Sequence, residues 1–191
     1  MMLTLLVLPA LIMFIVSFFK NKKAKFLLPV SSFAILLPII ELFVLPKPYA
    51  IAGSYLVADK LDTYILLVSS IVGIGVTLAL LTLDKHVKVS GNAYRRFYRF
   101  FAIFWVGLSI SILSNHMGIY WIGLELATLS TVYMIKTNHT RAAHKEAWNY
   151  MIVGAIAISL VLLGIILMYA SAKPILGEEA MRFDLLLSHA K

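Results

Sequence analysis

Of the nine acidic residues in this chain, Glu41 and Glu125 are the two that fall inside apolar runs long enough to cross a bilayer. A charged side chain near the centre of a membrane costs about 2.5–3.5 kcal/mol on insertion scales. That penalty brings the ionised and protonated carboxyl close in free energy, so such a group suits proton uptake and release. Glu125 is the stronger candidate, lying about eight residues into a run that starts at Met117 and therefore about 12 Å deep at about 1.5 Å per residue. On a helix its face carries Trp121 at i−4, Thr128 at i+3 and Val132 at i+7, with Ser130 and Thr131 following. Hydroxyls, that of Thr128 first, are thereby placed to hydrogen-bond the carboxylate or to order water beside it. Gly123, Ala127 and Thr131 form a small-xxx-small ridge on a neighbouring face, where a second helix can approach closely and shut lipid away from the acid. The competing reading is that Glu125 only ties helices together by a hydrogen bond. Glu41 lies close to Pro46 and to the interface, where ionisation costs less. It reads first as a packing or anchoring residue and second as part of a proton exit.

Other chemistry is thinly represented. The five histidines, His86, His116, His139, His144 and His189, all fall outside the middle of the spans. His139 and His144 are spaced differently from the i, i+4 pair of a helical metal site, and no carboxylate is placed to complete one. A loop histidine is ordinarily solvated. His144, beside Glu146 at the foot of the last span, is placed to help a proton enter. The chain has no cysteine, which excludes disulfides, thiolate metal sites, iron–sulfur clusters and thiol nucleophiles. No cofactor or metal is expected. Gly73-Ile-Gly75 lies inside an apolar run and is no nucleotide fingerprint, while Ser69-xxx-Gly73 is a helix-packing signature. The bases and aromatics from Tyr94 to Phe101 read as a membrane-boundary belt, and nucleic acid is no partner.

The elements that must carry these residues are membrane helices. With 61% hydrophobic residues, 14% charged ones and a mean hydropathy of +0.92, the chain is no water-soluble domain. Apolar runs predict an all-α integral membrane bundle of about six spans at 2–19, 26–46, 64–83, 100–114, 117–137 and 150–171, the fourth borrowing part of Arg95–Arg99. Twelve of the seventeen basic residues lie between spans one and two, three and four, and five and six. The positive-inside rule then puts the N-terminus outside and the basic loops in the cytoplasm, in the inner membrane of a cell. The first run lacks a basic n-region and is expected to remain in the mature protein. The outer loop Lys47–Thr63, with Pro48 and Gly53, is expected to form an irregular or hairpin-like lid. Residues 172–191 are expected to form an amphipathic tail on the outer face, leading towards a seventh span.

Three pieces between Tyr98 and Ala172 resemble the antiporter-like subunits of complex I and of membrane-bound hydrogenase and formate hydrogenlyase complexes. Leu113-Ser-Asn-His-Met-Gly-Ile resembles the turn after the family's fourth span. Tyr120-Trp-Ile-Gly-Leu-Glu-Leu-Ala-Thr-Leu-Ser resembles its fifth span, and Lys145-Glu-Ala-Trp-Asn-Tyr-Met-Ile-Val-Gly the start of its sixth. The wording is nearest to hydrogenase-4-type subunits, and the resemblance covers the N-terminal part of such a subunit. It implies that Glu125 corresponds to the glutamate these subunits need for proton pumping, within a complex of other membrane subunits. Many relatives carry a lysine where this chain has Asn149, which hydrogen-bonds but supplies no charge to tune Glu125. The relatives also carry a key lysine on a seventh, broken helix, so this polypeptide alone is expected not to pump and to need a second polypeptide for later spans.

The leading expectation is therefore a membrane subunit without an independent catalytic centre. It contributes Glu125, supported by Thr128, Asn149, His144 and weakly Glu41, to a redox-driven proton-translocating complex of the hydrogenase or NADH:quinone oxidoreductase type. The alternatives are a non-catalytic scaffold or assembly subunit and a subunit of a multi-subunit sodium–proton antiporter.

Overall fold

A backbone in hydrocarbon must satisfy its own N–H and C=O groups, and a helix does so within one segment. The long apolar runs of this chain accordingly fold as helices in a computed structural model, which describes residues 2–18, 49–52, 54–87, 90–136 and 141–189. Glu41, His139 and the expected second span at 26–46 lie outside the described residues.

The element order is α1 (Met2–Val16), β1 (Tyr49–Ala52), β2 (Leu56–Ala58), α2 (Lys60–Val87), α3 (Gly91–Leu113), α4 (Met117–Ile135), α5 (Arg141–Leu176), a 3-10 turn (Gly177–Met181) and α6 (Phe183–His189). Among the described residues four helices, α2 to α5, are long and apolar enough to cross a membrane. The chain is a multi-pass membrane protein. At about 1.5 Å per residue the 28 residues of α2 and the 23 of α3 exceed the roughly 30 Å of hydrocarbon. With 15 residues, one of them Pro9, α1 is shorter than a spanning helix. Helix α3 begins at Gly91, so Arg95, Arg96 and Arg99 lie within its first turns.

The tightest seam joins α3 to α4. A Cβ built on Gly107 would lie 2.8 Å from the backbone nitrogen of Ala127, and one on Gly123 would lie 2.7 Å from that of Ser111. Backbone therefore meets backbone, with Gly107-xxx-Ser111 on one helix set against Gly123-xxx-Ala127 on the other. The ridge expected on α4 is used, and α3 is the helix that fills it. At the basic end, Phe100 of α3 stacks on Tyr133 of α4 at 4.8 Å between ring centroids. Arg99 reaches α1, where its Nε donates to Ser17 Oγ at 3.3 Å and its guanidinium lies 3.9 Å over the Phe18 ring. Gly73 behaves differently from expectation. Its Cβ position faces the Phe101 and Trp105 rings at 3.4 and 3.8 Å, so it admits aromatic side chains and not a neighbouring backbone.

At the opposite end, the lid is an antiparallel hairpin of β1 and β2 that pairs Tyr49 with Ala58 and carries an irregularity between Ala50 and Ala52. It is clasped to the α3–α4 turn by Asn115, all of whose polar groups are engaged. The backbone nitrogen of Asn115 donates to Tyr55 O at 2.8 Å, and Nδ2 donates to Ser54 O at 2.9 Å. Asn115 O accepts from Phe183 N at 3.1 Å, and Oδ1 accepts from Asp184 N at 3.2 Å. The returning tail is aimed there by Gly177, whose φ of +60° lies in the left-handed region that favours glycine. Helix α5 continues to Leu176, past the expected start of the tail at residue 172.

Two expectations follow from this clasp. Asn115→Leu removes two side-chain hydrogen bonds, an expected loss of about 1–3 kcal/mol. The hairpin and the tail should then detach together, seen as faster hydrogen exchange at Phe183 and Asn115. In addition, the Arg182 guanidinium, 2.7 Å from Asp184, holds that carboxyl below its ordinary value, with the Asn115 contact adding to the effect. A group depressed in the folded state stabilises above its unfolded value of 3.8 and loses that contribution as pH falls through the folded one. Docking of α6 is therefore expected to hold at neutral pH and to weaken only in strong acid, as amide exchange at Asp184 against pH would register.

Candidate functional site

Glu125 is half-buried on α4 and faces α5. Two contacts fix the register of these helices. Trp121 Nε1 donates to Ile158 O at 3.2 Å, and Thr131 Oγ1 lies 3.3 Å from the Tyr150 hydroxyl. The two helices thus run antiparallel, with Glu125 level with Gly154 and Ala155. There the helices leave a cleft of about 30 Å³, lined by Glu125, Thr128, Tyr150 and Gly154 among otherwise apolar groups. A water needs at least about 10–15 Å³ of such space and polar partners, so the cleft has room for one or two. Gly154 helps to make this room, since no atom lies within 4 Å of its Cβ position.

The expected role of the neighbouring hydroxyls needs correction. Thr128 Oγ1 donates to Leu124 O at 2.5 Å, Ser130 Oγ to Leu126 O at 2.6 Å and Thr131 Oγ1 to Thr128 O at 2.7 Å. Their hydrogens return to the carbonyls of their own helix, as hydroxyls in a membrane helix do when the backbone is the nearest acceptor. Toward Glu125, Thr128 has lone pairs to offer and no hydrogen. The ridge and the acid also occupy different faces. Gly123 and Ala127 meet α3, while Glu125 looks toward α5, so α5 is the helix that borders the acid.

Below the acid, towards the basic end, a wider cleft of about 340 Å³ is lined by Tyr133, Lys136, His144, Ala147 and Trp148. It shares Leu129, Val132 and Met151 with the cleft at Glu125. These three apolar side chains therefore border both the mouth carrying Lys136 and His144 and the cleft at the half-buried carboxyl. His144 is exposed at that mouth, on the same side of the bundle as sequence reasoning put it. Asn149 is exposed and lines neither cleft, so the structure does not bring it to Glu125.

His116, read from sequence as a solvated loop residue, is instead half-buried as the N-cap of α4, where its Nδ1 accepts from Gly118 N at 3.2 Å. Sequence reasoning missed Tyr150 and Gly154. Their signal was available in the i, i+4 spacing of Tyr150 and Gly154 on the helix after Trp148, but it needs the register of α4 against α5 to acquire meaning. A further cleft, of about 480 Å³ between α2 and α3, is lined by Val72, Phe101, Phe104 and Trp105 and by no ionisable side chain among the described residues. Among the described residues, no group of three His, Asp or Glu side chains converges to hold a metal ion.

Among proteins of known name, the chain is similar to the hydrogenase-4 component F homolog of Methylacidiphilum infernorum (isolate V4), with 29% identity over 144 residues. The match takes in 72% of this chain, which spans about 30% of the length of that relative. The likeness to a hydrogenase-4-type, antiporter-like subunit is thus carried by most of the chain and by part of the relative. No family model matches, and no solved structure matches.

Proposed function

We propose that this chain contributes Glu125 as a proton-exchanging group to a redox-driven, proton-translocating membrane complex of the hydrogenase or NADH:quinone oxidoreductase type. The observation that carries this reading is the water-sized cleft at Glu125, which meets the wider cleft at Lys136 and His144 through Leu129, Val132 and Met151. By the positive-inside rule the wider cleft opens to the cytoplasm, so protons arrive from that side. His144 gathers them at the mouth, and Glu125 holds them about 16 Å further along α4, the rise of the helix from Lys136. Electrons run through partner subunits in the cytoplasmic membrane. A shift of α5 against α4 changes what surrounds the carboxyl, and with it the relative stability of its two forms. Thr128 orients water by accepting hydrogen bonds. Glu41 keeps its minor reading as an exit residue.

The unsupported side of the acid favours a second reading. Asn149 is exposed and no lysine lines the cleft at Glu125, as a scaffold subunit without a tuned proton site would have it. Glu125→Gln separates the two in the assembled complex reconstituted into vesicles. Translocation lost at unchanged redox-partner binding supports the proton role, and pumping retained at the normal ratio overturns it.

A further inference from the structure

The polar groups of the α4–α5 cleft do not divide the work evenly. Thr128 has committed its hydrogen to Leu124 O and therefore cannot hand a proton upward. Thr131 has likewise committed its own to Thr128 O, so in its 3.3 Å contact with Tyr150 the phenol is the donor. Tyr150 is thus the hydroxyl lining the Glu125 cleft whose hydrogen is not tied to a backbone carbonyl. It also lies at the right height. Thr131, its partner, is six residues toward the basic end from Glu125, about 9 Å at about 1.5 Å per residue, on the same side as the apolar side chains that both clefts share. Leu129, Val132 and Met151 offer a proton nothing to ride on, whereas Tyr150, which lines the Glu125 cleft beside them, carries a hydroxyl.

We propose that the Tyr150 hydroxyl, parked against Thr131, is the relay that passes protons from the wide cleft into the water-sized cleft at Glu125. The proposal rests on the reading of Glu125 as a proton-exchanging group. In the step, the Tyr150 hydroxyl turns from Thr131 toward a water beside Glu125, and a hydronium on the wide-cleft side gives a proton to a lone pair of the Tyr150 oxygen and reverts to water. The phenol's original hydrogen passes at the same time to a water beside Glu125 and on to the carboxylate. One O–H bond forms at the phenol as one breaks, no electron is transferred, and the reset is a rotation of the hydroxyl back onto Thr131 Oγ1. Thr131 serves as a positioning residue, because it determines where the hydroxyl points between transfers.

The test follows deuterium exchange of the protonated Glu125 carboxyl by infrared spectroscopy, in membranes carrying the assembled complex, with the band identified by its loss in Glu125→Gln. Tyr150→Phe keeps the ring and removes one oxygen from a residue that is 41% exposed, so the fold should tolerate it. Exchange is expected to slow at least about tenfold, since a positioned proton-transfer group typically contributes about 10²–10⁴-fold. Thr131→Val, which removes the parking acceptor, should slow it several-fold. Ile166→Val, on α5 but lining neither cleft, should leave it unchanged. Unaltered exchange in Tyr150→Phe, with the Glu125 band present, overturns the relay and leaves the proposed function standing. A missing Glu125 band overturns both. Should Tyr150→Phe fail to assemble, Thr131→Val decides, and failure of both variants to assemble assigns the pair a structural role and overturns the relay.

Discussion

Leucine at Gly123 is expected to prevent the bundle from assembling, and alanine at the same position to weaken it measurably. The reason lies in the α3–α4 seam, where even a single methyl at Gly123 would come within 2.7 Å of Ser111 N, 2.8 Å of Gly107 O and 2.9 Å of Ser111 Cα. All three are backbone atoms of α3, so no side-chain rotation relieves the contact and the helices must separate. In lipid, helix association depends on van der Waals packing of this kind, because the acyl chains are as apolar as the side chains they replace. Overpacking of a tight core costs typically about 1–3 kcal/mol, which sets the expectation for Gly123→Ala. Gly123→Leu adds branches that meet the same backbone and should exceed that range. Gly107→Ala tests the seam from the other helix, since its Cβ would lie 2.8 Å from Ala127 N. Gly75, on whose Cβ nothing lies within 4 Å, provides the contrast, and alanine there should be nearly silent. Denaturant titration of the purified subunit in mild detergent would rank the four variants. Equal stability of Gly123→Ala and Gly75→Ala would contradict the backbone contact.

The second large effect concerns translocation. Glu125→Gln preserves length and shape and keeps hydrogen-bonding capacity but cannot take up and release a proton. Coupled proton movement should fall by about two orders of magnitude or more, the contribution expected of a positioned proton-transfer group. Subunit content of the complex should stay the same. Glu125→Asp keeps a carboxyl but withdraws it by one methylene from the water it must meet, and an intermediate rate is expected. A dye-based proton signal per electron transferred, measured in vesicles, reads all three proteins on one scale. If Gln and Asp reduce the signal no more than a conservative change at Ile158 does, Glu125 is a helix-packing residue.

Much of the bundle was legible in the chain because the membrane imposes a coarse rule. Runs such as Tyr64–Leu83 and Tyr150–Ser171 have to be helices, and the ridge of Gly123 and Ala127 had to meet something small. What the ridge met, Gly107 and Ser111, depends on crossing geometry that one-dimensional spacing does not contain. The same holds for the acid. The depth of Glu125 follows from counting residues, whereas its facing α5 and not α3 follows from register, and register is set by single contacts such as Trp121 with Ile158. That the Thr128 and Thr131 hydrogens return to their own helix follows from carbonyls one turn back lying within their reach, a detail that spacing alone does not display. Asn149 was assigned to the site by analogy, and the helix turns it outward.

The Asn115 clasp bears on how force travels through the subunit. Beyond Leu176 the far end of α5 is tied down through Arg182, which pairs with His116, and Phe183, which sits edge-on to Tyr120 at 6.2 Å. Helices α3 and α4 are fused backbone to backbone and act as a fixed post. Along the post, α5 is held by the Trp121–Ile158 and Thr131–Tyr150 contacts, with open space at Gly154. A neighbour leaning on the outward row of Val153, Ile156 and Leu160 would swing the His144 end furthest, and the same swing would pinch or widen both clefts at Met151.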